Sequence, residues 1–207
     1  MSTETLFQTI YTEIIQEFAT KHIDDVTGRD FAKGQNAEDN FAEIAVQNGC
    51  KWTQGSDTDD RIHHVDGILT SSTKRLKIEV KSSKSERCPD DVLIEFRGGS
   101  GHSGWLYGKA DFIAHEVLSP YYSFVLFSKP ELIKYAEAKC NIKWDWDIKK
   151  GRYLKFDSSM LTNYSCEAIA PKIYNRNTDQ SIITRININE LKSNILHSVM
   201  FPKDANN

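Results

Sequence analysis

Apolar residues change their spacing along this chain, and the changes divide it into elements. Leu6, Ile10, Ile14, Ile15 and Phe18 recur at helical spacing and predict a helix over 5–21. A polar stretch with Asp24-Asp25 and Gly28-Arg29-Asp30 follows. Phe41, Ile44, Ala45 and Asn48 then share one stripe, which predicts a helix over 36–48 with Gly49 as its stop. Beyond it, strands are predicted at 62–69, 75–82, 91–97 and 110–116. Tyr122 to Phe127 is a continuous apolar run, as expected of a strand buried on both faces. Pro130-Glu131-Leu132 opens a helix to about Lys139. Ser181 to Ile188 predicts a late strand, and Asn189 is the expected cap of a last short helix, the pair filling about 181–200. The tail from Pro202 to Asn207 is expected to fray.

This order predicts an α/β or α+β fold, a mixed central sheet flanked by helices. No repeat, low-complexity tract or interdomain linker interrupts it. The 207 residues therefore read as one domain with its core at about 36–139.

Composition narrows the class. The chain is 39% hydrophobic and 27% charged, the balance of an ordinary soluble globular protein. Lys and Arg number 26 against 29 Asp and Glu, so the net charge is −3 and any footprint for nucleic acid must be local. Cys50, Cys88, Cys140 and Cys166 are scattered without a CxxC pair, which argues against a zinc ribbon and for reduced thiols in the cytoplasm. No basic leader precedes an apolar run, and no run reaches the roughly 20 residues that span a bilayer, so no membrane role is expected.

The candidate chemistry lies in His64-Val65-Asp66-Gly67-Ile68 and Lys77-Ile78-Glu79-Val80-Lys81. Side chains alternate along a strand, so Glu79 and Lys81 share a face and Ile78 and Val80 take the other. If the two segments pair as a hairpin, Asp66 joins that face. Two carboxylates suit a hard divalent cation, Mg²⁺ or Mn²⁺, with an activated water. Asp66 and Glu79 would be ligands, and the Val80 carbonyl is a further oxygen in reach. Lys81 would orient or deprotonate the water, or stabilise developing charge. His64 is expected on the face of Asp66.

Two neighbouring features fit a phosphate-bearing partner. Lys74, Arg75, Lys77, Lys81, Lys84 and Arg87 fall within a short span, and Arg97 and Lys109 extend the set. The segment from Gly98 to Asp111 holds five glycines, with Ser103 beside Trp105 and Tyr107 as candidate contacts and stacking faces. The Asp57, Asp59, Asp60 run lacks the order of a calcium loop and reads as a polar loop. Trp144-Asp145-Trp146 reads as a partly buried aromatic pair with no assignable chemistry.

The pattern Asp66, twelve residues, then Glu79-Val80-Lys81 resembles the signature of the PD-(D/E)XK nuclease superfamily, with Val65 where the family's name has proline. The Gly-Trp turn leading into Ala110-Asp111 is similar to an element of phage and prokaryotic members. The resemblance covers about half the chain. It implies a restriction-endonuclease-like core and a third acid on the helix before the strands. Glu38, Asp39 and Glu43 are candidates. At about 100° per residue Glu38 falls beside Phe41 and Ala45, whereas Glu43 lies nearly opposite, so Glu38 is the expected third ligand.

The expectation is a metal-dependent nuclease acting on phosphodiesters, DNA before RNA, in the cytoplasm of a prokaryotic or phage-infected cell. With no clear recognition insertion, sequence-specific cutting would call for a homodimer. The rival is a non-catalytic nucleic-acid- or protein-binding module that keeps the nuclease fold.

Overall fold

Ala37, Phe41, Ile44 and Ala45 form the buried face of helix α1 (Asp30–Gln47), and Asn48, buried as well, follows its last residue. The structure is a computed structural model describing residues 30–83, 90–98, 103–117, 123–147, 151–155, 161–162, 173–175 and 182–200. The helix expected over 5–21 and the tail from Pro202 lie outside these residues. Helix α1 ends where expected: Gly49 takes φ 75°, and the Cys50 N–H closes the turn on the Ala45 carbonyl at 3.0 Å.

Strand β1 (Lys51–Gln54) pairs antiparallel with β2 (Gly67–Thr70), and β2 pairs antiparallel with β3 (Arg75–Lys81). Strand β4 (Asp91–Arg97) leaves this sheet, and the chain returns with β5 (Phe112–Glu116) parallel to β3. Strand β6 (Phe124–Ser128) follows antiparallel to β5, then helix α2 (Lys129–Lys139). Next come the hairpin β7 (Lys143–Asp147) and β8 (Gly151–Lys155), then β9 (Leu161–Thr162) and β10 (Ile173–Asn175). The described residues close with β11 (Ile182–Asn187), helix α3 (Ile188–Asn194) and β12 (His197–Met200).

The main sheet runs β1-β2-β3-β5-β6-β12, and its single parallel pair makes it mixed. A second sheet runs β4-β11-β10-β9. The expected α+β class, a mixed sheet with helices against it, is what the chain forms.

Strand alternation divides the apolar residues into two cores. Leu76, Ile78 and Val80 of β3 meet Phe41, Ile44 and Ala45 of α1, along with Phe112, Phe124 and Leu126. The Phe41 ring lies edge-on to Trp52 at 5.3 Å and to Phe124 at 5.2 Å, the geometry that ring quadrupoles favour. On the other face Ile113, Val125 and Phe127 meet Val92, Ile94 and Phe96 of β4, Ile182 and Ile186 of β11, and Leu132 and Leu191 of the helices. Glu79 and Lys81 belong to this second face, at the end of β3 beside Ile113 and His115.

Several boundaries differ from expectation. Strand β2 starts at Gly67, not 62, because Asp59–His63 winds into a π-helical turn. The Asp59 carboxylate anchors that turn by accepting from the Ser56 N–H at 3.2 Å and the Ser56 hydroxyl at 2.7 Å. His64 then adopts φ 50°, which no strand allows. The cap of α3 is Asn187, whose side chain accepts from the Asn189 N–H at 2.9 Å, so Asn189 lies inside the helix.

Candidate functional site

Pairing between β2 and β3 begins one residue before β2 itself. The Asp66 N–H donates to the Ile78 carbonyl at 2.9 Å. Its carboxylate Oδ2 accepts from the Val80 N–H at 2.6 Å. Asp66 therefore lies opposite Glu79, as the hairpin reading requires, although it precedes the strand and does not lie within it. Odd residues of β3 turn their backbone groups to β5, as Lys77 does toward Asp111. Even residues turn theirs to β2, so the Val80 carbonyl opens on the Asp66 edge.

Both acids are buried, Asp66 at 3% exposure and Glu79 at 1%. Burial, with the Glu79 charge adding to it, pushes the Asp66 carboxyl up to about 7. Glu79 Oε1 pairs with Lys81 Nζ, whereas buried Glu79 Oε2 has no hydrogen-bond partner. Burial pulls the Lys81 ammonium down, but Glu79 and Asp66 outweigh it and hold the group above the usual lysine range. Lys81 Nζ also sits 5.7 Å from the centroid of the Trp105 ring, a cation–π contact.

Glu38 borders this pair of acids without joining them. It accepts a hydrogen bond from Gln54 Nε2 at 3.2 Å. Burial raises its pKa, and Glu79 and Asp66 lie close enough to interact with it electrostatically. Among the alternatives, Asp39 and Glu43 are exposed and bond within α1, to Gln35 and Gln47. Helical phase thus selected the acid that faces the site. Among the described residues no three His, Cys, Asp or Glu side chains are gathered closely enough to hold an ion, so the expected three-acid cage is a two-acid site with Glu38 at its margin. A divalent cation suits the two acids on one observation: Glu79 Oε2 is a buried oxygen that nothing satisfies.

His64 comes to the site from the turn and not from a strand. Its Nδ1 stands 4.0 Å from Glu79 Oε1, and burial holds the ring below the ordinary histidine range, hence neutral at pH 7. His63 points elsewhere, with Nε2 3.2 Å from Lys109 Nζ.

The expected nucleic-acid contacts do not form one patch. Lys74 and Arg75 stand at the opposite end of β3 from Lys81, about 20 Å away at the rise of a strand. Lys84 lies outside the described residues. Trp105 is buried at 6% exposure in the second core and offers no stacking face. Tyr107 is spent on a hydrogen bond to Glu137 at 2.9 Å. Arg97 bridges to exposed Ser103 at the edge of the glycine-rich loop.

Gly108 packs tightly against the site. A Cβ on Gly108 would lie 2.5 Å from the His63 carbonyl oxygen, 2.5 Å from His64 Cβ and 3.0 Å from Lys129 Nζ. Gly108→Ala is therefore expected to cost about 2 kcal/mol by overpacking, seen as a lower urea midpoint at unchanged slope. An unchanged midpoint would show that the loop can move away.

Sequence reasoning missed Lys129, the first residue of α2. Its side chain is 1% exposed, Nζ has no hydrogen-bond partner, and burial pushes the ammonium down to about 8. A signal for it existed: Val125 and Phe127 face the second core, and one further step of two reaches Lys129.

No protein-family profile matches the chain, and no curated protein does. In structure the chain is similar to a bacterial homing endonuclease, with 17% identity and a TM-score of 0.40, over 70% of this chain and 83% of that one. A likeness of this degree settles neither family nor activity. Among the described residues no helix is long and apolar enough to cross a membrane.

Proposed function

We propose that this protein is a metal-dependent nuclease that hydrolyses phosphodiester bonds, most naturally in DNA. One observation carries the reading: Asp66, Glu79 and Lys81 meet at the end of the β2–β3 hairpin, with a buried carboxylate oxygen unsatisfied. The resemblance of Asp66 and Glu79-Val80-Lys81 to the PD-(D/E)XK pattern supports it.

Asp66, Glu79 and the Val80 carbonyl would hold Mg²⁺ or Mn²⁺, with Glu38 contributing from the margin. The ion would supply Lewis-acid charge and an activated water. The chain supplies the rest. Asp66 is fixed by the Val80 N–H, so its second oxygen keeps one direction. Lys81 keeps its proton on Nζ, which favours a donor that orients water and meets developing phosphate charge over a general base. His64 is neutral and within reach of Glu79, where one ring nitrogen can accept a proton. Trp105 lies next to Lys81, and Gly108 packs against His64 and Lys129.

Cleavage of a DNA panel in Mg²⁺ or Mn²⁺ is expected to stop on adding EDTA and to return with excess metal. Calorimetric titration with Mn²⁺ should show binding that Asp66→Asn weakens. Undiminished cleavage in EDTA would contradict the metal dependence, and absence of both cleavage and Mn²⁺ binding would favour the non-catalytic binding module.

A further inference from the structure

A lysine at the first position of a helix needs an explanation. The positive end of the helix dipole disfavours a cation there, and Glu131 already supplies the charge that suits this end. Burial makes the position costlier still, since an ammonium without a hydrogen-bond partner loses its hydration for nothing. Local folding physics therefore opposes Lys129, and packing alone would be served better by an apolar side chain.

Its surroundings give the reason. The Lys129 N–H is fixed by the Asp111 carbonyl at 3.1 Å, which ties the start of α2 to the strand leading into β5. Strand alternation through Val125 and Phe127 turns the side chain to the face that carries Glu79 and Lys81. The charges it meets belong to Glu79, Lys81, Asp111 and Asp66. Gly108 leaves the space that Nζ approaches, and His64 lines the same space. Asp66 and Glu79 from the β2–β3 hairpin thus converge with two ammonium groups, those of Lys81 on β3 and Lys129 on α2. One ammonium is paired, and the other has its donors unused.

We infer that Lys129 is a further substrate-contacting residue of this site, whose ammonium receives a non-bridging oxygen of the phosphate being cleaved. This rests on the nuclease reading proposed above. If Asp66 and Glu79 hold a divalent cation, the two ammonium groups leave the site net positive, which draws in an anion, and Lys129 holds three donors ready for it. Such a contact strengthens as negative charge grows on the phosphate oxygens, so it acts on turnover more than on binding.

The test compares native protein, Lys129→Met, Lys129→Arg and Asp66→Asn on a DNA duplex in Mn²⁺, alongside Mn²⁺ calorimetry and thermal unfolding. Lys129→Met keeps the length of the side chain and removes the charge. It is expected to fold at least as stably as native and to bind Mn²⁺ no more weakly. Its kcat should fall about 100-fold with a smaller change in KM. Lys129→Arg should recover much of the rate. Native-like kcat in Lys129→Met, with Asp66→Asn inactive, would overturn the role of Lys129 and leave the nuclease reading standing. Unfolding of Lys129→Met would make the lysine a structural group and would overturn the role as well. Absence of both cleavage and Mn²⁺ binding in the native protein would remove the nuclease reading, and this inference with it.

Discussion

Asp66→Asn is expected to be more stable than the native protein at pH 7 and to cleave nucleic acid about 1,000-fold more slowly. Asparagine keeps the side-chain oxygen that accepts from the Val80 N–H. It removes a charge that burial and Glu79 both oppose. Burial and Glu79 push the folded Asp66 carboxyl up to about 7, against 3.8 for an ordinary aspartate, so between these values the folded state holds a proton that the unfolded state has released. Stability therefore falls as pH rises through this window, and the full penalty stands above about 7. Three units at about 1.4 kcal/mol each set a ceiling of about 4 kcal/mol, and relaxation around the acid leaves about 2 kcal/mol as the expected gain. Urea midpoints without metal should show native and variant close together at pH 4 and well apart at pH 8. A gap that does not change with pH would contradict this account of Asp66. Excess Mn²⁺ should narrow the gap at pH 8, since a cation that binds only the folded native protein stabilises it.

Lys81→Met is expected to do the reverse to stability while also stopping cleavage. Glu79 is 1% exposed and its charge is answered by Lys81. Removing the ammonium leaves a buried carboxylate without its partner, a loss of about 3–5 kcal/mol. Glu79→Gln in the same chain should restore most of it, because a neutral amide needs no counter-charge. The double-mutant cycle measures the pairing directly. If Lys81→Met and native protein unfold at the same urea concentration, the ion pair contributes nothing and Lys81 is a solvated surface charge. The two substitutions together separate catalysis from folding, because both lose activity while their stabilities move in opposite directions. The opposition arises because Asp66 is held against its own folding preference, whereas Lys81 answers the buried charge of Glu79.

Elements with strong periodicity were readable from sequence. Strand β4 occupies 91–97 as its alternation predicted, and α2 differs from expectation by one residue. Short edge strands were not readable. β1 is largely exposed and β12 has only four residues, so neither offers enough apolar alternation to stand out. The strand predicted from 62 begins at Gly67 because Ile62, an apolar residue in sequence, is 68% exposed on a polar turn.

The site divides the same way. Strand phase placed Glu79 with Lys81, and helical phase picked Glu38 over Asp39 and Glu43. The basic patch misled because closeness in sequence along an extended strand is distance in space: Arg75 and Lys81 share a face and stand at opposite ends. Trp105 misled because a loop aromatic can serve a core as well as a ligand, and here it fills the second core. Lys129 escapes a reading that starts the helix at Pro130, because strand alternation carried on from β6 governs where its side chain goes.

Single-turnover cleavage of a DNA duplex, followed in parallel for native protein and Asp66→Asn in excess Mg²⁺, tests the central claim most directly. The account predicts cleavage by the native protein and a loss of about 1,000-fold in the folded variant. Equal rates for the two proteins would contradict it.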